Sequence, residues 1–336
     1  MAIDIEPLYL KALELRIPRI APKRDNGLRL FNGYTEGYPR VAVDLYGTTL
    51  VIHDATSAEG NASLVDRLLE LTKDRLPWLE AAICKLRESD VPSMRNGSQL
   101  LGTEADLCTR LEEDDVSYAI RLQLNRDASF YLDTAPLRAW AKANLAGKRV
   151  LNTFSYTGSL GAAAMAGGAS RVVSTDLNRQ FLTVAKDTWS MNGWAIKKMD
   201  FITGDFFDVV GKLKRGPELF DCVFVDPPFF SVTMQGRVDL EADMLRILNK
   251  ARPLVADGGV LVAINNGVFV SGAAFDKTLA EVCADGFLTV EQRLNVPDDF
   301  AGHPGTRQGT LPTDPAPWNH STKMAILRVK RKDGRV

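Results

Sequence analysis

The chain reads as an α/β protein, a doubly wound parallel sheet preceded by a small α+β domain. Three observations carry that expectation. From Lys148 onward, apolar strand-like runs alternate with helical patterns, which is the grammar of a parallel sheet with crossover helices. Upstream, short strand-like runs sit between glycine turns around one helical stretch. Between the two grammars, NTFSYTGSLG (152–161) follows the apolar run 149–151 and precedes the small-residue segment 162–168. A strand, a glycine-bearing turn and a helix start are where such a sheet takes a nucleotide-like ligand. The glycines are not spaced as G-x-G-x-x-G, so the turn suits a cofactor without phosphates.

Bulk properties exclude several classes. With 336 residues, 45% hydrophobic and 25% charged, the composition is that of an ordinary globular protein with ample core. A formal net charge of -1 gives no global basic field for a nucleic acid, although a local basic face stays open. The four cysteines, Cys84, Cys108, Cys222 and Cys283, form no C-x-x-C pair, which argues against a zinc site and a disulfide framework and fits a reducing compartment. Asp4 and Glu6 stand where a signal peptide would be basic, and no run approaches ~18 apolar residues. A cytoplasmic protein that neither crosses nor contacts a membrane is expected.

In order, residues 7–15 place Leu8, Leu10, Ala12, Leu13 and Leu15 at helical spacing, ended by Pro18, so residues 1–20 form an entry helix. Residues 28–44 and 49–53 alternate or run apolar between Gly33, Gly37 and Gly47 as strands and hairpins; 62–73 is a helix with Leu64, Leu68, Leu69 and Leu71 as its stripe. Residues 81–86 and 116–123 add strands, with a polar loop over 88–97. The small α+β domain therefore spans 21–125 and the doubly wound domain 126–336.

In the second domain the strand 149–152 leads to a helix at 160–166, and strand 171–174, ending at Asp176, to a helix at 180–192. The strand 199–202 ends at Gly204 and Asp205 and precedes a helix at 207–213; strand 221–225 ends at Asp226 and precedes a helix at 240–250. After a turn at Asp257-Gly258-Gly259 comes strand 260–264, and 289–294 with 323–330 close the sheet around a long loop, 297–321. Each parallel strand ends in a polar residue, so Asp176, Asp205, Asp226 and Asn265 should converge with the 152–161 turn around one crevice.

Asp176 is placed to accept both hydroxyls of a ribose, or else to cap the following helix. Asp205, with Phe206 behind it, can accept from an adenine amino group or cap the helix beginning near Phe207. Asp226-Pro227-Pro228-Phe229 is the most specific tetrapeptide: the prolines end both ladder and helix, leaving an extended, rigid hook in which an acid or carbonyl accepts from a planar amine while Phe229 stacks on the ring. The plainer reading is that the prolines only stop a strand and that Phe229 and Phe230 belong to the core. The loop 297–321 carries His303, Arg307, Trp318 and His320, and long loops of this kind serve as lids or substrate gates as well as solvated connectors. Three histidines without a second ligand cluster argue against a metal.

NTFSYTGSLG, GGASRVVSTDLN (167–178) and FDCVFVDPPFF (220–230) closely resemble the class I S-adenosylmethionine-dependent methyltransferases of the bacterial large-subunit rRNA group. LRLFNGYTEGYPRVAVDLYG (28–47) looks like that group's small central domain, and SFYLDTAPLR (129–138) like its linker into the Rossmann-like domain. The resemblance implies S-adenosyl-L-methionine as cofactor. Phe154, Ser155, Tyr156, Thr157 and Gly158 would cradle its methionine part, Asp176 with Leu177 the ribose, and Asp205 with Phe206 the adenine. Asp226 to Phe229 would face the target, while Tyr131, Asp133 and Arg138 line the site from the linker. Asn265, Asn266, His303 and Trp318 are assigned to the substrate side. A sulfonium methyl leaves without acid catalysis, so alignment and desolvation should matter more than perturbed titrating groups.

The chain departs from the group twice. Its members usually begin with an RNA-binding PUA domain, for which few residues are available before Leu28. The cytosine-C5 members carry Ser-Cys-Ser after the strand that follows the DPP motif, because a thiolate must attack the ring. Here that segment reads VAINNG, and Cys222 lies mid-strand. A base nitrogen, which has its own lone pair, is the expected target, with ribosomal RNA as the partner. A small planar metabolite as substrate, a non-catalytic RNA- or partner-binding module, and a homodimer remain open.

Overall fold

The computed structural model describes residues 4–233, 236–239, 243–308 and 320–336. They divide into two compact units, the first of residues up to 132 together with 297–308, the second of residues 133–296 together with 320–336.

In the first unit, helix α1 (Ile5–Arg16) starts where the Asp4 side chain accepts the Glu6 N–H at 3.1 Å and buries Ile5, Tyr9, Ala12 and Leu13. Strands β1 (Gly27–Phe31), β2 (Val41–Tyr46), β3 (Thr49–Asp54), β4 (Ala81–Leu86) and β5 (Ser98–Leu101) form one sheet in that order. All neighbours are antiparallel except β3 and β4, whose parallel pairing needs a crossover, supplied by α2 (Ala62–Arg75). The apolar faces of α1, α2 and the sheet make one core, with the Tyr9 and Thr72 hydroxyls bonded at 2.6 Å inside it.

Three local expectations differ from what the structure shows. The stretch expected as a polar loop contains α3 (Pro92–Asn96), which proline starts at the first turn. The strand expected over 116–123 stops early: β6 (Arg110–Glu113) and β7 (Val116–Ala119) form a separate hairpin closed by Asp114 and Asp115, both at positive φ. Residues 297–308, expected to belong to an open loop of the second domain, lie in this unit and include a short helix, Asp298–Ala301.

The second unit holds α4 (Ala135–Asn144), β8 (Arg149–Thr153), α5 (Ser159–Ala166), β9 (Arg171–Asp176), α6 (Arg179–Met191), β10 (Phe201–Thr203), α7 (Phe206–Leu213) and β11 (Phe220–Val225). A hairpin of β12 (Phe230–Thr233) and β13 (Gly236–Asp239) follows, then α8 (Met244–Ala251), β14 (Val255–Asn265), α9 (Gly272–Cys283), β15 (Leu288–Leu294) and β16 (Lys323–Val329). The sheet order is β10-β9-β8-β11-β14-β16-β15, parallel through β14 and antiparallel at β16 and β15. Helices on both faces bury β11 and β14 along nearly their whole length, hence their almost unbroken apolar runs.

The Asp257-Gly258-Gly259 segment, expected as a turn before a strand, lies inside β14. The register against β11 slips there, pairing Phe220 with Val255 but Cys222 with Val260, so the glycines absorb a bulge. Strand order reverses between β8 and β11: β9 and β10 build outward on one side of β8, β14 on the far side of β11. At such a switch point the loops leaving two neighbouring carboxyl ends part, and a crevice opens.

Candidate functional site

Two loops leave the switch point, one from β8 and one from β11. The β8 loop is unusual in its backbone. Phe154 and Tyr156, neither of them glycine, sit at φ 51° and 50°. Bulky side chains in the left-handed region are strained, and such strain persists where surrounding contacts over-determine it, typically at ligand clamps. The contacts are visible. Ser155 N–H bonds to Thr175 O at 2.9 Å, Tyr156 N–H donates to Asp176 Oδ2 at 2.8 Å, and the Phe154 ring stacks on Phe206 with centroids 4.6 Å apart. Gly158 caps α5 at φ 81°, and a Cβ there would stand 2.7 Å from the Cβ of Ala185 on α6. That glycine is therefore required twice, by conformation and by packing.

Asp176, at the end of β9, holds this loop. Oδ1 accepts from Asn178 N–H at 2.8 Å and Oδ2 from Tyr156 N–H at 2.8 Å. Burial pushes its pKa above the ordinary 3.8, opposed by the N–H bonds from Asn178, Tyr156 and Leu177. Helix α6 takes its side-chain cap from Asn178, not from Asp176. Each carboxylate oxygen keeps a lone pair for a hydroxyl. Leu177 is exposed beside it. Ser155 Oγ is buried with no hydrogen-bond partner among the described residues, a group that a polar ligand would satisfy. Thr157 is buried in the same loop.

Asp205 is used as a helix cap: Oδ1 accepts from Phe207 N–H at 2.8 Å and Asp208 N–H at 3.4 Å, and Oδ2 from the Thr233 hydroxyl at 2.7 Å. Phe206 is buried in the core under the β8 loop. The other reading for this segment has Asp205 accept from an adenine amino group while an aromatic ring stacks on the base; in the described geometry Asp205 caps α7 and Phe206 packs on Phe154.

Asp226 leaves β11 half-buried, with Oδ1 buried and without a hydrogen-bond partner among the described residues. Burial, and secondly the Asp133 carboxylate nearby, push its pKa from 3.8 up to about 7. A strongly perturbed titrating group is thus present where alignment was expected to matter more than titration. Asp133 Oδ2 accepts from the Thr322 hydroxyl at 2.5 Å, and Arg138, buried on α4, donates to Thr134 Oγ1 at 2.8 Å. Pro227 is buried, while Pro228 and Phe229 are exposed.

Asn265, at the end of β14, is buried and accepts Gly267 N–H at 3.0 Å, closing a turn rather than facing outward; Asn266 is half-buried. Sequence patterning missed Lys323. It reads as the first residue of a strand, yet it is buried opposite Asn265, with Nζ bonded to Gly267 O at 3.3 Å and to Ser321 O. The one signal was a lysine opening an otherwise apolar strand.

Tyr131 and His303 lie in the first unit. Tyr131 donates to Asp127 at 3.0 Å, and His303 Nδ1 accepts Gly305 N–H at 3.1 Å within its own turn. Trp318 lies outside the described residues.

A sheet with this strand order, a strained aromatic loop tied to an acidic strand end, and an acid-Pro-Pro-aromatic segment across the switch point define a class I group-transfer architecture for a nucleoside cofactor. Comparison with known proteins names the group. A family profile described as S-adenosylmethionine-dependent methyltransferase matches residues 94–306, and the chain belongs to that family. The chain is therefore an enzyme that uses S-adenosylmethionine.

It is similar to ribosomal RNA large subunit methyltransferase I of Photobacterium profundum, 28% identical over 267 residues, covering 79% of this chain and 67% of that protein. The protein of the same name from Escherichia coli is 26% identical over 269 residues, covering 77% and 66%. The chain thus spans about two thirds of the length of these relatives. A solved structure named for a SAM-dependent methyltransferase from Streptococcus mutans superposes with a TM-score of 0.81 at 19% identity, covering 98% of this chain and 82% of that one. The M. jannaschii tRNA m1G37 methyltransferase does so at 0.57 and 13%, covering 97% and 80%. At those identities the structural likeness concerns the fold.

Proposed function

We propose that this enzyme methylates a nitrogen of a base in ribosomal RNA. The observation that carries the reading is Asp226: a buried carboxyl oxygen without a partner among the described residues, held near neutral titration, at the root of a Pro227-Pro228-Phe229 hook. S-adenosylmethionine supplies an electrophilic methyl group on a sulfonium. The residues fit that cofactor: Asp176 has lone pairs for the ribose hydroxyls, Ser155 Oγ and the strained Phe154 to Gly158 turn offer a cradle for the amino-acid end, and Leu177 can cover the ribose. Asp205 contributes as the cap that holds α7, and Oδ2, which among the described residues accepts only from Thr233, keeps a lone pair for the adenine amino group.

On the target side, Asp226 accepts a hydrogen bond from the attacking nitrogen. With a pKa near 7 it is also matched to taking that nitrogen's proton as the bond to carbon forms. Phe229 covers the face of the base. Burial first, and then Asp133, anchored by Thr322, keep Asp226 basic, and Arg138 holds the start of α4 through Thr134. Carbon-5 chemistry needs a thiolate; Cys222 is buried in β11 with its thiol pushed well above its ordinary value by burial, and Asn265 closes a turn. The relatives' names support an RNA substrate, and action on ribosomal RNA would place the enzyme in the cytoplasm. Among the described residues no helix is long and apolar enough to cross a membrane.

The net charge of -1 favours a second reading, a small planar metabolite as substrate. Incubation with tritiated S-adenosylmethionine and either deproteinised ribosomal RNA or a metabolite extract separates the two. Label in RNA is expected; label only in the extract would overturn the proposal.

A further inference from the structure

The edge of the sheet that carries Asp226 also carries a cluster of exposed apolar side chains. Phe229, Phe230, Val232, Val268 and Phe269 are 43%, 56%, 64%, 75% and 78% exposed. Among the described residues, the only strongly exposed phenylalanines are these three, Phe229, Phe230 and Phe269. They come from the segments leaving β11 and β14, neighbouring parallel strands that pair Val225 with Ala263. The two segments meet: the Phe229 and Phe269 rings lie 6.2 Å apart at 60°. Phe230 and Val232, two residues apart on β12, share a face of that strand.

Exposed aromatic surface of this kind is costly in water and marks an interaction site. The patch begins at the hook that would hold the target base and runs outward from it, so its occupant must be continuous with the target. Charge narrows the choice further. An RNA partner normally binds through phosphates, yet this chain has a net charge of -1. Base stacking on aromatic rings supplies affinity without that field, and it serves unpaired nucleotides, since duplex bases hide their faces.

We propose that Phe269, with Phe230, Val232 and Val268, is a stacking platform for unpaired nucleotides flanking the methylated base, separate from the Asp226 to Phe229 hook. The proposal rests on the RNA reading above. It assigns substrate selection to single-stranded, locally splayed RNA.

The test uses the full chain, deproteinised ribosomal RNA from cells lacking the gene, and a fluorescent unstructured oligoribonucleotide with its duplex as control. Phe269→Ala is expected to raise the KM for RNA and the Kd for the single strand about tenfold, the loss of one stacked base. kcat and S-adenosylmethionine binding should stay within about twofold. Phe269→Tyr should behave as wild type and Phe269→Leu as the alanine variant, because stacking needs a ring. An unchanged KM in Phe269→Ala, full function in Phe269→Leu, or equal affinity for duplex would overturn the platform while leaving RNA methylation intact. Sedimentation showing a wild-type dimer that Phe269→Ala dissociates at unchanged KM would overturn it in favour of a face between copies of the chain. No label in RNA with wild-type enzyme would overturn both readings.

Discussion

Replacing Asp226 by asparagine should cost activity and return stability, in a pH-dependent way that few surface sites could imitate. In the folded chain the Asp226 carboxyl titrates at about 7 against an ordinary 3.8. Between those values the unfolded chain has released a proton that the folded chain still holds. Stability therefore falls as pH rises through this window and is flat outside it. At about 1.4 kcal/mol per pH unit the full penalty has a ceiling of about 4 kcal/mol, which local relaxation will reduce. Asp226→Asn removes the charge at every pH. Its advantage over wild type should grow by about 2 kcal/mol from pH 5 to pH 8, or about 4–8 °C in Tm for a unit of this size. Scanning calorimetry of both proteins across that range reads the difference directly, and shared titrations cancel. Over the same range, methyl transfer should fall about 100-fold in the variant, the typical cost of losing a positioned proton acceptor. A Tm difference that does not change with pH, or a variant that keeps wild-type kcat, would refute the reasoning.

Asp176→Ala should weaken S-adenosylmethionine binding by at least about tenfold in titration calorimetry, since it removes the anchor of Tyr156 N–H and the acceptors proposed for the ribose; unchanged affinity would remove Asp176 from the proposed cofactor site. Gly158→Ala should lower stability by about 1–3 kcal/mol in urea unfolding and weaken cofactor binding with it, because a left-handed φ and the 2.7 Å approach to Ala185 both oppose a side chain. In the first unit, Arg16 and Glu36 form a buried pair at 2.8 Å, with both side chains fully inaccessible to solvent. Glu36→Ala, leaving the guanidinium uncompensated, should cost about 3–5 kcal/mol of stability. Its effect on methyl transfer at low temperature should be small.

Much of the second unit was legible because its signals are local. β11 and β14 are buried on both faces and so are written as apolar runs, and their polar ends fall on one edge whatever the loops do. Asp176 and Asp226 could be placed on that edge from strand endings alone. Asp205 could not be assigned that way, because an acid before a helix serves equally as cap or ligand; its bonds to Phe207 and Thr233 show the cap. The bulge at Asp257-Gly258-Gly259 was misread as a turn because glycine pairs signal both, and only the slipped register against β11 separates them.

Long-range partnerships were the least legible. Asp299 belongs to the first unit through an ion pair with Arg19 across most of the sequence, 3.1 Å long, and nothing near residue 299 announces it. The near-neutral titration of Asp226 depends on burial and on Asp133, which are tertiary facts. The burial of Lys323 rests on the carbonyl that the turn at Gly267 supplies, which no local pattern announces.

The central claim is that this enzyme places a methyl group on a base nitrogen of ribosomal RNA. Mass spectrometry of nucleosides from large-subunit ribosomal RNA, prepared from cells with and without the gene, tests it most directly. One N-methylated nucleoside should disappear with the gene and return on complementation with wild type but not with Asp226→Asn. An unchanged nucleoside profile, or the loss of 5-methylcytidine instead, would contradict the account.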